Sequence, residues 1–211
     1  MKENKLELVD SVFDELSIDL KRLESSPTLL KIALEKTFEK YLMYNKLCDV
    51  KADFQKRAKV FGEAFEDFLE YVLRKFVLQD IENIELIREY EIPEACMVGV
   101  GAADFAVLKE GALKMVIEAK GSAHQYSCKG KVVELSRPGL IRTDTMKKAL
   151  ANAVQLKFGI KGNIKYVIIT SHKPESGNSK CIMDISLRSG LVDAVLLATD
   201  FKDLIKLREM L

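Results

Sequence analysis

Apolar side chains recur every three or four positions over residues 5–47: Leu6, Val9, Phe13, Leu16 and Leu20, then Leu29, Ile32, Leu34, Phe38, Tyr41 and Leu42. That spacing puts them on one helical face, and Ser25-Ser26-Pro27 interrupts it, so two helices joined by a turn are predicted. A third helix is predicted over 58–77, where Phe61, Ala64, Phe65, Phe68, Leu69, Val72 and Phe76 make one broad apolar face. The period then changes. Residues 84–92, ending at Pro93, read as a strand, and 103–108 and 114–118 as two more around Lys109-Glu110-Gly111. A polar loop is predicted over 121–142, with a turn at Pro138-Gly139. Next comes a helix over 143–158, N-capped by Thr143 or Asp144 and closed by Gly159. A buried strand over 166–170, a polar loop over 171–180, a strand over 193–199 and a helix over 201–211 complete the chain. The order predicts an α/β protein, a mixed sheet flanked by helices.

The 211 residues are 48% hydrophobic and 31% charged, which allows one sizeable core and excludes a mostly disordered chain. No apolar run approaches the roughly 20 residues that span a bilayer, so no membrane partner is expected. Met-Lys-Glu-Asn-Lys-Leu-Glu-Leu at the start lacks the apolar stretch of a secretory leader. Cys48, Cys96, Cys128 and Cys181 are far apart, which argues against a zinc ribbon or a disulfide framework and predicts a reducing, cytoplasmic setting. Net charge is only +1, but it is unevenly spread. Residues 61–120 carry 13 acidic and 6 basic side chains, and residues 121–173 carry 10 basic and 2 acidic. Either the two segments neutralise each other, or a cation site lies beside a surface for a polyanion.

The acidic segment holds the candidate chemistry. Asp104 interrupts an apolar strand, and Glu118 and Lys120, two apart on the next, share a face because strand side chains alternate. A three-residue loop Lys109-Glu110-Gly111, with glycine at the left-handed position, would set Asp104 opposite Val116 on that same face, diagonal to Glu118. A two-residue loop would put Asp104 on the other face unless a bulge restored it. Two carboxylates and an ammonium on one patch suit Mg²⁺, which prefers hard oxygens and accepts phosphate oxygens. A structural Asp–Lys–Glu cluster is the competing explanation.

Asp104, the following strand and Glu118-Ala119-Lys120 together resemble the signature of the PD-(D/E)XK nuclease superfamily. Gly62-Glu-Ala-Phe-Glu66 is similar to the Gly-x-x-x-Glu element of many members, and the element order over 58–170 to their common core. Ala103 stands where the signature has proline. The resemblance implies a restriction-endonuclease-like core over 56–211 with a helical extension over 1–55. It implies Mg²⁺ held by Asp104, Glu118 and the Ala119 backbone carbonyl, with Lys120 as catalytic lysine and Glu66 as a further carboxylate. Glu63 and Asp67 are expected to be solvated, and Glu70 is a weaker candidate. Gln155 is similar to a polar helix residue that some members aim at the active site.

The basic segment bears on the substrate. Residues 121–142 contain Ser122, His124, Gln125, Lys129, Lys131, Arg137 and Arg142, side chains that hold phosphates and read base edges. With the helical extension, suited to pairing two subunits, this favours a type II restriction endonuclease: a homodimer cutting double-stranded DNA at a short sequence. A repair or structure-specific nuclease, resembling a junction resolvase, is the first alternative. A catalytically silent DNA-binding module is the second, disfavoured because all four motif positions are filled.

Overall fold

The computed structural model describes residues 3–48, 53–128 and 130–211. The N-terminal region forms α1 (Glu3–Glu15), the short α2 (Leu20–Ser25) and α3 (Leu29–Tyr44), one helix more than the two predicted. The predicted first helix is split after Glu15, and Asp19 caps its end as a separate helix, α2, by accepting from the Arg22 N–H. Helix α4 spans Phe54–Val72 and runs on into a π-helical turn, Leu73–Val77. It starts four residues earlier than the apolar pattern suggests because Asp53 accepts from the Gln55 N–H. Val9, Phe13, Leu34, Phe38, Phe61 and Phe68 pack into one core with the sheet. Apart from the exposed Ile32, the apolar stripes of α1 and α3 are thus packed within the chain.

Seven strands follow: β1 (Ile84–Tyr90), β2 (Ala103–Lys109), β3 (Ala112–Lys120), β4 (Gln125–Cys128), β5 (Lys131–Glu134), β6 (Lys165–Thr170) and β7 (Ala194–Leu197). The main sheet has the order β1-β2-β3-β6-β7; β1, β2 and β3 are antiparallel, and β6 and β7 join parallel. It is a five-strand mixed sheet between two layers of helices. One face carries the core shared with α1, α3 and α4; the other buries Val116, Tyr166 and Ile168 against Met146, Ala149 and Leu156 of α5 (Thr143–Gly159). Helices α6 (Gly177–Arg188) and α7 (Phe201–Glu209) complete the layers.

Four local expectations are corrected. Residues 121–142 are not one loop, because β4 and β5 pair as a hairpin. Its anchor is Tyr126, buried beside Phe61. The loop expected over 171–180 stops at residue 176, where α6 begins; of its buried Ser179, Met183 and Ser186 only one is apolar, too few to show a helical stripe. Neither Thr143 nor Asp144 caps α5: Arg142 holds the N-cap position, without a side-chain cap bond. Gly159 is the last residue of α5, with Ile160 at the C-cap, and it packs too close to its neighbours for a side chain: a Cβ there would meet the Ala95 Cα at 2.6 Å. Cys96 and Cys181 are free thiols, but Cys48 is disulfide-bonded, which the spacing of the cysteines did not foretell.

Candidate active site

The β2–β3 connection decides where the carboxylates fall. Lys109 pairs with Ala112, so the loop has two residues, Glu110 and Gly111, both at positive φ as a type I′ turn requires. Alone this would turn Asp104 away from Glu118. A bulge then inserts Lys114, the pairing shifts from Leu108↔Leu113 to Val107↔Met115, and Phe105 meets Ile117. Asp104 thereby returns to the face of Glu118. It stands opposite Glu118 rather than opposite Val116 as the three-residue loop would have it.

At this end of the sheet the Lys120 ammonium lies among three oxygens: Glu118 Oε1 at 2.5 Å, the Ala119 carbonyl at 3.1 Å and Asp104 Oδ2 at 3.3 Å. The Ala119 N–H donates to Asp104 Oδ2 at 2.7 Å. Glu118 is 2% exposed, so its charge needs partners. Besides Lys120, Asn152 Nδ2 on α5 donates to both carboxylate oxygens, each at 3.1 Å. The strand end is fixed from β6, where the Thr170 hydroxyl donates to the Lys120 carbonyl at 2.7 Å. Burial and the neighbouring Glu118 raise the Asp104 pKa against the pull of Lys120. Burial lowers that of Lys120, but Glu118 and Asp104 more than offset it, so the net shift is upward.

Glu66 approaches from α4. Burial raises its pKa, with a further contribution from nearby Asp104. Arg88 on β1 donates to Glu66 Oε2 at 2.7 Å, pairs with Asp67, and reaches Glu70 Oε2 at 3.3 Å. Asp67, expected to be solvated, is buried and accepts from the Tyr41 hydroxyl at 2.6 Å. Glu63 pairs with Lys5 instead. Among the described residues, no group of three or more His, Cys, Asp and Glu side chains is disposed to hold a metal ion. Glu66 is tied to Arg88, and the third oxygen beside Asp104 and Glu118 is a backbone carbonyl. The donor set nevertheless fits Mg²⁺ in kind, since these hard oxygens already converge on a cation, the Lys120 ammonium.

Glu66, Lys120, Ser122, Arg137 and Arg142 line one cleft of about 970 Å³. Gly121 also borders it and cannot carry a side chain, because a Cβ there would overlap the buried Phe65 ring. Arg142 pairs with Asp144 at 3.0 Å, and both are exposed. His124 does not line this cleft; it lies beside His172 in a second pocket. Gln125 on β4 and Lys131 on β5 are exposed and line neither cavity. Lys129 lies outside the described residues. Gln155 is exposed, and Asn152, three residues earlier, is the α5 side chain that reaches the site. The signal for Asn152 was a polar residue on the stripe Ala149, Ala153 and Leu156. Arg88 was signalled only as a lone cation among Glu85, Glu89 and Glu91.

No protein-family model, curated protein or solved structure is found to match the chain. Its function is therefore argued from the site alone.

Proposed function

We propose that the chain is a Mg²⁺-dependent nuclease of the PD-(D/E)XK kind with a restriction-endonuclease-like core. The observation that carries this reading is the convergence of Asp104, Glu118 and the Ala119 carbonyl on Lys120, which with Ala119 lines the same cleft as Arg137 and Arg142. Asp104, Glu118 and the Ala119 carbonyl would hold the metal, which supplies charge neutralisation at the scissile phosphate and a more acidic bound water. Lys120 donates to the attacking water and to developing negative charge on phosphate oxygens. Asn152 fixes the Glu118 carboxylate through both oxygens, and Arg88 fixes Glu66 at the cleft wall. Arg137 and Arg142 bind backbone phosphates or guanine edges. Arg142 gives up only an exposed pair with Asp144 to do so, worth about 0–1 kcal/mol.

In its most specific form the proposal is a type II restriction endonuclease, acting as a homodimer on double-stranded DNA, with the helices of 1–55 appended to a core over 56–211. One observation favours the second reading, a structure-specific or repair nuclease acting without a partner subunit. The apolar faces of α1 and α3, which suggested subunit pairing, are covered by α4 within the chain. Incubation with supercoiled plasmid and with branched and linear duplexes tests both. Discrete fragments in Mg²⁺ and none in EDTA support the restriction reading. Cleavage confined to branched substrates supports the second, and undiminished cutting in EDTA overturns the metal mechanism common to both.

A further inference from the structure

A second cavity, of about 910 Å³, opens behind the wall of the catalytic cleft. The wall is thin. Ser122, on the cleft side, and Ser171, on the cavity side, bond reciprocally at 3.1 Å, the Ser122 N–H to the Ser171 hydroxyl and that hydroxyl to the Ser122 carbonyl. Gly139 presses on the same segment so closely that a Cβ would lie 2.7 Å from the Thr170 hydroxyl oxygen. The chain leaves Lys120 and reaches the cavity at Ala123. Three residues span at most about 10 Å, or roughly three nucleotide steps of 3.4 Å along a duplex strand. A strand held at Lys120 would therefore lie within about three nucleotide steps of the cavity lining at Ala123.

The lining is two-sided. Leu34, Phe38, Ala123 and Met183 make a buried apolar floor. Above it stand the His124 and His172 rings, 6.0 Å between centroids, with the Ser171 and Thr199 hydroxyls. Burial first, then His124 and Lys31, push the His172 pKa down to about 4, so this ring adds no charge at neutral pH. Lys31, Lys173 and Lys180 stand with Glu35 and Glu175 among the lining residues. Lys173 is held by Asp203 and Lys180 by Asp184, while Lys31 makes no ion pair among the described residues. Glu35 and Glu175 likewise make no ion pair among the described residues, so the charge around the apolar floor is mixed, which does not suit a polyanion. The lining suits a ligand that joins a flat, weakly polar ring system to a single phosphate.

We propose that this cavity receives one nucleotide, its base against the Phe38–Met183 floor and its phosphate beside Lys31. The nucleotide has two sources, a residue unstacked from the substrate strand or a free mononucleotide. The first rests on the nuclease reading and the second does not.

The test uses the full chain in EDTA, so that no strand is cut, with 2-aminopurine as the probe in both arms. In one arm the probe replaces a base at successive positions of a single strand and of a duplex. In the other it is the free deoxynucleoside monophosphate, followed by anisotropy. Thr199→Phe puts a bulky ring into the cavity and Lys31→Ala removes the cation. Neither residue lines the catalytic cleft, and an unchanged melting temperature shows that each variant is folded. A several-fold emission rise confined to one or two positions, lost in Thr199→Phe while oligonucleotide binding persists, supports the strand source. Free-nucleotide binding that weakens several-fold in Lys31→Ala, with no localised rise in the strand, supports the free source. Oligonucleotide binding without either signal overturns the inference and leaves the nuclease reading standing. Free-nucleotide binding with no affinity for any oligonucleotide in EDTA, together with no cleavage in Mg²⁺, supports the inference and overturns the nuclease reading.

Discussion

Lys120 shows how much one side chain decides here. Its ammonium lies within 3.3 Å of two carboxylate oxygens and a carbonyl, so it both compensates a buried charge and stands where a reaction would need a donor. Lys120→Ala, Asp104→Ala and Glu118→Ala are each expected to lower cleavage by at least about 10²-fold, as loss of a transition-state contact does. Melting curves should still show a cooperative transition; a Lys120→Ala protein that cuts at the wild-type rate would remove Lys120 from the mechanism. Asn152→Leu and Arg88→Leu act one step away, on Glu118 and Glu66, and should cost about 10–100-fold, the range for residues that orient ligands. The sequence singled out Asp104, Glu118 and Lys120 because charge in an apolar strand is costly and therefore conspicuous. It pointed to Gln155 rather than Asn152 because single positions on a helix differ only by their azimuth against the sheet, which the chain's own pattern sets loosely.

At the scale of elements, the two hairpins make opposite points. The β2–β3 turn uses two residues and a compensating bulge at Lys114, so the shared face of Asp104 and Glu118 depends on that bulge. Deleting Lys114 is expected to shift Asp104 off the site and abolish cleavage, while circular dichroism still reports strand content. Retention of activity in the deletion variant would show that register is not what assembles the carboxylates. The β4–β5 hairpin is anchored by Tyr126, which is 1% exposed and whose hydroxyl has no hydrogen-bond partner among the described residues. A buried unpaired hydroxyl costs about 1–3 kcal/mol, so Tyr126→Phe should be neutral or stabilising by about 1 kcal/mol in urea titrations. A loss of more than that would mean that the hydroxyl is satisfied in solution. Polar residues dominate this hairpin, and one buried tyrosine was too small a pattern to separate it from a loop.

For the whole molecule, the packing of α3, β6 and the second cavity around His172 gives stability a dependence on pH. The folded pKa is about 4, against an ordinary value near 6.5. Between those values the unfolded chain binds more protons than the folded one. The stabilisation is therefore complete above about pH 6.5 and is lost as the pH falls toward 4. Because the ring is only half-buried, the loss should be on the order of 1 kcal/mol, discounted for solvent screening. Urea midpoints across that range should fall for the wild type and flatten in His172→Phe; parallel slopes would remove His172 as the cause. The proposed DNA binding belongs to the same scale. Arg137→Ala and Arg142→Ala should each reduce the salt dependence of binding by about one phosphate contact, whereas Gln125→Ala, outside the cleft, should leave it unchanged. Titrations at several salt concentrations decide this, and equal slopes for all variants would place the reading surface elsewhere.

The division between chain and fold follows from these cases. Hydrophobic spacing by itself determined the helical start, the strands before and after Asp104 and the mixed α/β order, because local periodicity is written residue by residue. It also exposed Asp104, Glu118 and Lys120, since their charges break that periodicity. Only the tertiary structure decided the bulge that faces Asp104 to Glu118, and the choice of Asn152. It alone brought Arg88 onto Glu66 and Asp67, and separated the cleft of Arg137 and Arg142 from the pocket of His124. Each of those depends on contacts between residues far apart in the chain, whose distances are fixed only when the sheet and its helical layers close on one another.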